Sequence, residues 1–181
     1  MKGIVFTEFL EMVENRFSPE IADRIIEASE LPSRGAYTAV GTYDHTEMVR
    51  LVTELSAVTG ATVPNLLHTF GKHLFGRFVA IYPQFFEGVE SAFPFLENID
   101  GYIHVEVLKL YPDAELPGFE CDASEPGRLT LIYRSTRRLA DLAEGLIQGC
   151  IEHFRETIHI QREDLSGGQG SCVRFLLTKA G

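Results

Sequence analysis

Apolar residues recur at helical spacing through most of the first 110 residues. The pattern predicts four helices, each with a recognisable start or stop. They are Met1–Phe17, a helix from Pro19 capped by Ser18, one from Asp44 closed by Gly60, and one from Pro64 stopped by Tyr82-Pro83. Glu47 follows Asp44 at the spacing of a capping box. The predicted buried face of the first helix comprises Val5, Phe9, Met12 and Val13.

Strand-like alternation replaces the helical pattern after Pro112. The predicted strands are Leu116–Cys121, Arg128–Ser135, Thr157–Glu163 and Cys172–Thr178, with a helix from Leu139 between the second and the third. Helices followed by strands with a helix packed on them form an α+β layout. We therefore expect one α+β domain spanning residues 1–181.

A further helix is predicted to end at Tyr111, because the residue before a proline leaves the helical region. Its apolar stripe comprises Leu96, Ile99, Ile103, Val107 and Leu110. His104 lies beside this stripe, so its ring can reach inward. A lone histidine on an amphipathic helix is more often a packed or surface residue than a metal ligand.

The run Tyr133-Arg134-Ser135-Thr136-Arg137 is predicted to lead from a strand into the helix from Leu139. Ser135 or Thr136 is suited to cap that helix. The run offers hydroxyls and a guanidinium, and His104 offers an imidazole. A cofactor with a metal and two carboxylates, such as heme, would use all of these groups.

With Ser135 or Thr136 as the cap, Arg137 and Arg138 fall in the first turn of this helix, where the helix dipole disfavours cations. An anionic ligand at that terminus would explain both arginines. Asp141 lies four residues after Arg137, so an ordinary ion pair would explain one of them equally well. The pattern leaves both interpretations open.

Composition narrows the class of protein. The net charge of −10 argues against nucleic acid and against a polybasic membrane anchor. No apolar run reaches transmembrane length, and the start lacks the layout of a signal peptide. Three widely spaced cysteines suit reduced thiols. We expect a soluble cytoplasmic protein.

The chain resembles the heme–nitric oxide/oxygen-binding (H-NOX) family. The family's Tyr-x-Ser-x-Arg motif is matched by Tyr133, Ser135 and Arg137, and its proximal histidine by His104. Further matches are Met1–Phe6, Lys109-Leu110-Tyr111-Pro112 and Leu116-Pro117. The resemblance extends over essentially the whole chain.

The resemblance implies heme b (protoporphyrin IX iron) between two lobes. These are a helical distal lobe, about residues 1–62, and a heme-binding α/β lobe, about residues 63–181, with a four-stranded antiparallel sheet. His104 would ligate the iron, Tyr133, Ser135 and Arg137 would hold the heme carboxylates, and Pro117 would press on the porphyrin. The distal wall would comprise Val5, Phe9, Leu74, Phe78, Leu142 and Leu146.

The implied gas preference depends on two leucines. Family members that hold O2 stably use a distal tyrosine, which Leu142 replaces here, and Leu74 replaces a polar helper. Without a donor for polarised O2, we expect selectivity for nitric oxide (NO), with CO as a weaker ligand. By resemblance, NO binding would release His104 and shift its helix.

Nothing in the sequence corresponds to a kinase or cyclase, so we expect a non-enzymatic sensor read by a separate protein. In bacterial members that partner is typically a histidine kinase or a cyclic-di-GMP enzyme, either a diguanylate cyclase or a phosphodiesterase. One alternative is a heme enzyme such as a peroxidase, which needs a distal acid–base group. Another is a heme-free interaction or thiol-redox module of the same fold, with Cys121 or Cys172 as the reactive thiol.

A zinc site is not expected. Cys172 falls where some family members place one ligand of a structural zinc, but the companion position is Ala140. The loop before Cys172 has no Cys or His, so a four-ligand shell is missing. Cys150 lies on an apolar stripe and is expected in the core.

Overall fold

The computed structural model describes residues 1–180. Its α-helices are α1 (Gly3–Arg16), α2 (Pro19–Ala28), α3 (His45–Thr59), α4 (Val63–Ile81), α5 (Ala92–Glu97), α6 (His104–Leu110) and α7 (Ala140–His153). Its strands are β1 (Gly118–Asp122), β2 (Arg128–Arg134), β3 (Ile158–Asp164) and β4 (Cys172–Lys179). Among residues 1–180, no helix is both long enough and apolar enough to cross a membrane.

The four strands form one antiparallel sheet in the order β1-β2-β4-β3. Leu129, Leu131 and Tyr133 of β2 are buried, whereas Arg128 and Arg134 are exposed. This alternation is the one expected of a sheet with one covered face. The predicted α+β class and antiparallel sheet are confirmed, although β1 begins at Gly118 rather than at Leu116.

Two hydrophobic clusters form the core, and α7 lies between them. Leu142 belongs to the first cluster, which gathers α1 to α4, and Ile147 and Cys150 belong to the second, which includes the inner face of the sheet. Leu146 contacts both clusters. Cys150 is fully buried, as predicted.

Glycines let the backbones of α4 and α7 touch. A Cβ atom on Gly145 would lie 2.2 Å from the carbonyl oxygen of His68, and one on Gly71 would lie 2.4 Å from that of Leu142. Both distances are far inside van der Waals contact, so any side chain at these positions would force the helices apart.

Capping residues fix the starts of three helices, largely as predicted. The side chains of Ser18, Asp44 and Thr62 accept backbone N–H bonds at the starts of α2, α3 and α4. The capping-box prediction is wrong for Glu47. Its buried carboxylate accepts hydrogen bonds from the hydroxyls of Ser33 and Tyr37 instead.

The single helix predicted to carry His104 is wrong. The chain forms α5, then a π-helix over Ile99–Ile103, and then α6, which ends at Leu110 before the predicted stop. A π-turn holds more residues than an α-turn and changes the direction in which the later side chains point. Leu96 is therefore buried, whereas Leu110 of the same predicted stripe is 54% exposed.

Residues 111–117, which connect α6 to β1, are tied to the N-terminal helices. Asp113 accepts hydrogen bonds from Lys2 Nζ at 3.2 Å and from Thr42 Oγ1 at 2.6 Å. The hydroxyls of Tyr82 and Tyr111 lie 3.2 Å apart. The segment after α6 is thus fastened to the residue before α1, to the loop before α3 and to the end of α4.

Candidate functional site

His104 is the first residue of α6, and its ring is held by a carboxylate. Its Nδ1 lies 2.7 Å from Oδ1 of Asp100, and the side chain is 18% exposed. The second oxygen of Asp100 accepts the backbone N–H of Phe119 at 2.7 Å, which anchors the carboxylate to β1. Histidines that bind metals commonly donate their other nitrogen to a carboxylate in this way.

The His104 ring is held in the form that a metal requires. Burial lowers the pKa of His104, and the nearby Asp100 opposes this effect without reversing it. A neutral ring with its Nδ1–H donated to Asp100 leaves a lone pair on Nε2. Sequence reasoning missed Asp100, although an acidic residue four positions before a histidine on a helix is a recognisable signal.

Phe119 of β1 connects the two sequence motifs. Its ring centroid lies 6.1 Å from that of His104 and 5.6 Å from that of Tyr133. The histidine and the Tyr-x-Ser-x-Arg run, about thirty residues apart in the chain, are therefore neighbours through one aromatic ring. Phe119 was not singled out from the sequence, because a phenylalanine on a strand is ordinary core.

The Tyr133-Ser135-Arg137 run forms a compact turn after β2. The buried Tyr133 hydroxyl accepts the backbone N–H of Leu139 at 3.2 Å, and Ser135 Oγ accepts that of Arg137 at 3.2 Å. Burial raises the pKa of Tyr133, so its hydroxyl stays protonated. Ser135 and Arg137 also line an open cleft of about 520 Å³ that extends to Cys172.

Two predictions about this turn are wrong. α7 begins at Ala140 without a side-chain cap, so neither Ser135 nor Thr136 caps it. Arg137 and Arg138 precede the helix rather than lying in its first turn, and Arg138 takes a positive φ of 57°. The chain turns over residues 135–139 after β2, and the positive φ of Arg138 is not helical, so α7 begins only after this turn.

The ion pair of Arg137 with Asp141, one of the two interpretations that the sequence left open, does not form. Arg137 donates to the backbone carbonyl and to the carboxylate of Glu115, both at 2.9 Å. Asp141 instead accepts from Arg162 of β3. The Glu115 side chain is 85% exposed, so its carboxylate can move away from Arg137 into solvent. Its position shows that the Arg137 guanidinium can donate to a carboxylate oxygen at this point.

The six residues predicted as a distal wall lie together in the first hydrophobic cluster or against it. Phe9, Leu74 and Leu142 are buried there. Val5, Phe78 and Leu146 are only partly buried and lie at the edge of the cluster. Val5, on the predicted buried face of α1, is thus only partly buried, whereas the adjacent Phe6 is fully buried.

The remaining predicted site residues are Pro117 and the cysteines. Pro117 is partly buried in the connection between α6 and β1. Cys172 lies beside Arg134, whose guanidinium is 3.1 Å from its sulfur. Within residues 1–180, no group of three or more His, Cys, Asp or Glu side chains is arranged to hold a metal ion.

These groups fit a heme, which needs one imidazole rather than a cluster of ligands. His104 offers a neutral, oriented nitrogen, Arg137 already holds a carboxylate, and Tyr133 and Ser135 add hydroxyls beside it. The donor set therefore matches an iron centre with carboxylate substituents.

Comparison with known proteins agrees with this chemistry. The family model described as Haem-NO-binding matches residues 2–162. The unliganded Fe(II) H-NOX protein from K. algicida is 40% identical, with a TM-score of 0.94 over 100% of this chain and 97% of that one. The Fe(II)CO H-NOX from Shewanella woodyi is 42% identical, with a TM-score of 0.85 over 99% and 95%. No curated protein matches the chain.

A third structure extends the comparison of folds. The S. oneidensis H-NOX protein in its Fe(II)NO state is 23% identical, and it matches over the whole of both chains with a TM-score of 0.92. At that identity the likeness concerns the fold alone. The family model and the two more similar structures carry the assignment, and the chain belongs to the Haem-NO-binding (H-NOX) family.

Proposed function

We propose that this protein is a heme-based sensor of nitric oxide that signals to a separate protein. The observation that carries the proposal is His104, neutral and tied at Nδ1 to Asp100, beside the Tyr133-Ser135-Arg137 turn. The NO- and CO-bound states of the S. oneidensis and S. woodyi proteins support gas binding by this fold.

The bound group would be heme b. His104 would supply the axial nitrogen, and Arg137, Ser135 and Tyr133 would hold the carboxylates in place of Glu115. The ferrous iron supplies the site at which a diatomic gas binds. The lobes on either side would be about residues 1–62 and about residues 63–181, with α4 starting at the boundary.

Selectivity for NO over O2 would come from the apolar wall. None of the six side chains, Val5, Phe9, Leu74, Phe78, Leu142 and Leu146, has a hydrogen-bond donor. Bound O2 is polarised and is retained best by a donor, whereas NO and CO do not need one. O2 binding would therefore be slight.

Signalling would pass through α6. Loss of the bond between His104 and iron would free α6, and Pro117, in the connection to β1, would move with it. A ligand shifts a conformational equilibrium only by binding the two states differently, and release of His104 supplies that difference. The sensor would be cytoplasmic and without catalysis of its own, and the receiver would be a histidine kinase or a cyclic-di-GMP enzyme.

The thiol-redox alternative has little support from two of the cysteines. Burial raises the pKa of the Cys121 thiol to about 11 and raises that of Cys150 further. The reactive form of cysteine is the thiolate, so both thiols would be sluggish at neutral pH.

The test is an anaerobic absorption spectrum of the reduced protein, repeated after NO and separately after air. We expect a five-coordinate high-spin ferrous heme that takes up NO, loses the histidine and forms no stable O2 complex. A stable O2 complex would make the protein an oxygen sensor. A colourless protein that does not take up added heme would contradict the sensor and favour the heme-free interaction module.

A further inference from the structure

Glu8 of α1 is a charged residue buried where two helices meet. Within residues 1–180, the buried polar side chains, tyrosine aside, are Glu8, Ser29 and Glu47. Ser29 bonds to the backbone of its own helix, and Glu47 accepts from two hydroxyls. Glu8 instead pairs with a different helix, because its Oε2 accepts from Nε of Arg77 on α4 at 2.6 Å. The Glu8 carboxylate therefore joins α1 to α4.

His73, one turn before Arg77 on α4, faces the same carboxylate without bonding to it. Its ring is partly exposed, but its Nε2 is shielded from solvent, lies 3.7 Å from Oε2 of Glu8 and has no hydrogen bond within residues 1–180. The charged groups that act on the ring are Glu8 and Glu11 of α1 and Arg77 of α4. Burial lowers the pKa of His73, so the ring is neutral at pH 7. Glu8, His73 and Arg77 are here called the charge cluster.

The charge cluster lies on the two helices that supply most of the proposed distal wall. Each member directly precedes a residue of that wall, namely Phe9, Leu74 or Phe78. The ring of Phe9 already meets the ring of Phe70 on α4, edge to face, with centroids 5.1 Å apart. Neighbouring residues of a helix are about 1.5 Å apart along its axis and move together. A shift of α1 against α4 at the cluster therefore changes the spacing of the wall.

We propose that the charge cluster positions α1 against α4 and thereby sets the rate at which a gas enters the distal side, with His73 making that rate depend on pH. The inference rests on the proposed sensor. A buried ion pair adds little net stability compared with apolar residues of similar volume, and its best-attested use is to fix one arrangement of the elements that it joins. The three members of the cluster are positioning residues for the distal wall.

The direction of the pH effect follows from the open contact between His73 and Glu8. A protonated ring has a charged N–H donor at Nε2, which suits the carboxylate. Shortening this contact from 3.7 Å to the roughly 2.8 Å of a charge-assisted bond draws α1 toward α4. The pKa of His73 lies below 6.5, so the effect begins below about pH 6.5. Acid therefore slows gas entry.

The first test measures bimolecular CO rebinding to the ferrous heme protein after flash photolysis. It is run at about pH 7.5 and about pH 5.5, on either side of the ordinary pKa of histidine. The parent should rebind CO about two- to fivefold more slowly at the lower pH, the range that a partly exposed ion pair can supply. His73→Gln should abolish this difference. The control His68→Gln, which changes a histidine of α4 that acts on Glu152 of α7 instead, should retain it.

The second test removes the ion pair itself at about pH 7.5. Arg77→Gln should speed CO rebinding about two- to fivefold, because α1 is held less firmly. Arg77→Lys keeps the charge and should restore a rate close to that of the parent. The control is Lys72→Gln. Lys72 is 39% exposed, as against 38% for Arg77, and it joins α4 to α7 through Glu152 at 2.7 Å. This control should rebind CO as the parent does.

Equal rates for Arg77→Gln and Lys72→Gln would overturn the proposal, as would a pH dependence in His73→Gln that matches that of His68→Gln. Chemical denaturation of each variant checks that it is folded. If Arg77→Gln does not fold, the comparison of His73→Gln with His68→Gln decides alone. Static spectra of the parent report heme and CO binding separately. A parent without heme, or one that binds no CO, would contradict the sensor, whereas unaltered rates in a parent that binds CO would contradict the role of the charge cluster.

Discussion

At the scale of single residues, Asp100 makes two contacts that together orient one imidazole. It joins Nδ1 of His104 to the backbone of Phe119, both at 2.7 Å. The carboxylate thereby fixes the tautomer and leaves the lone pair on Nε2. Asp100 is therefore a positioning residue for His104.

Replacing Asp100 by Asn should weaken heme retention. An amide keeps the size of the side chain but removes the charge that supports the ring, and loss of such a partner typically lowers metal affinity about 10–100-fold. The measurement is heme transfer to excess apomyoglobin, with the iron–histidine stretch recorded by resonance Raman. Glu97→Gln is the control, since Glu97 is a nearby exposed carboxylate. Equal transfer rates for the two variants would contradict the role of Asp100.

Leu142→Tyr tests the distal wall. Leu142 is 8% exposed in the first cluster, and a tyrosine there would bring a hydroxyl into an apolar region. We expect the ferrous variant to retain O2, because the new donor stabilises polarised oxygen. Spectra in air check this, with Leu142→Phe as the control of similar size. A tyrosine variant that responds to air as the phenylalanine variant does would show that position 142 does not face the gas.

His73 gives a prediction about pH. It lies on α4 between Glu8 and Glu11 of α1 and Arg77 of its own helix, and burial lowers its pKa below 6.5 despite both carboxylates. The unfolded chain then binds a proton first as the pH falls, so stability is full above about pH 6.5 and is lost below it. His73→Gln should lose less stability than the parent between about pH 7.5 and about pH 5. Denaturant unfolding at both pH values measures this, and parallel losses would refute it.

At the scale of elements, the sequence pattern predicted the strands better than the helix that carries His104. Leu129, Leu131 and Tyr133 alternate because β2 has one covered face, a local cause visible in the sequence. The π-turn at Ile99–Ile103 adds residues without breaking the apolar pattern. The pattern therefore predicts one continuous helix as readily as the interrupted helix that forms. The pairing of Arg137 with Glu115 depends on how the connection after α6 packs, which no local pattern encodes.

The contact between α4 and α7 yields a paired prediction. Gly145→Ala should destabilise the protein by about 1–3 kcal/mol or more, because its Cβ would meet the carbonyl of His68 at 2.2 Å. Gly76→Ala, also within a helix but with nothing near its Cβ, should stabilise by roughly 0.5–1 kcal/mol. Chemical denaturation of both variants checks the opposite signs. Stabilisation of both variants would mean that helix propensity outweighs the contact at Gly145.

At the scale of the whole molecule, residues 111–117 connect the site to the N-terminal helices. Lys2 and Thr42 both donate to Asp113, and these bonds lower the pKa of its carboxyl. The connection between α6 and β1 is therefore also a link to the N-terminal part of the fold. The family resemblance predicted the lobes but gave no sign of this link.

Asp113→Asn should loosen that link without unfolding the protein. The neutral side chain loses its charge-assisted bond to Lys2, so amide hydrogen exchange should speed up in residues 111–117 and around Thr42. Mass spectrometry after deuterium exposure measures it. Asp122→Asn is the control, because Asp122 bonds only to the nearby Ser124 backbone among the described contacts. Unchanged hydrogen exchange around Thr42 would show that the bonds to Asp113 do not restrain the motion of this loop.

The carboxylate bound to His104 also has a consequence for timing. In the proposed sensor, an imidazole that leaves the iron stays fastened at Nδ1 to Asp100, which is itself fastened to β1. The return of His104 is intramolecular in any case, and the bond to Asp100 raises its effective concentration at the iron further by limiting the positions that the ring can take. The recovery time after a pulse of gas would therefore be set by the dissociation of the gas, because rebinding of the nearby His104 ring would be faster.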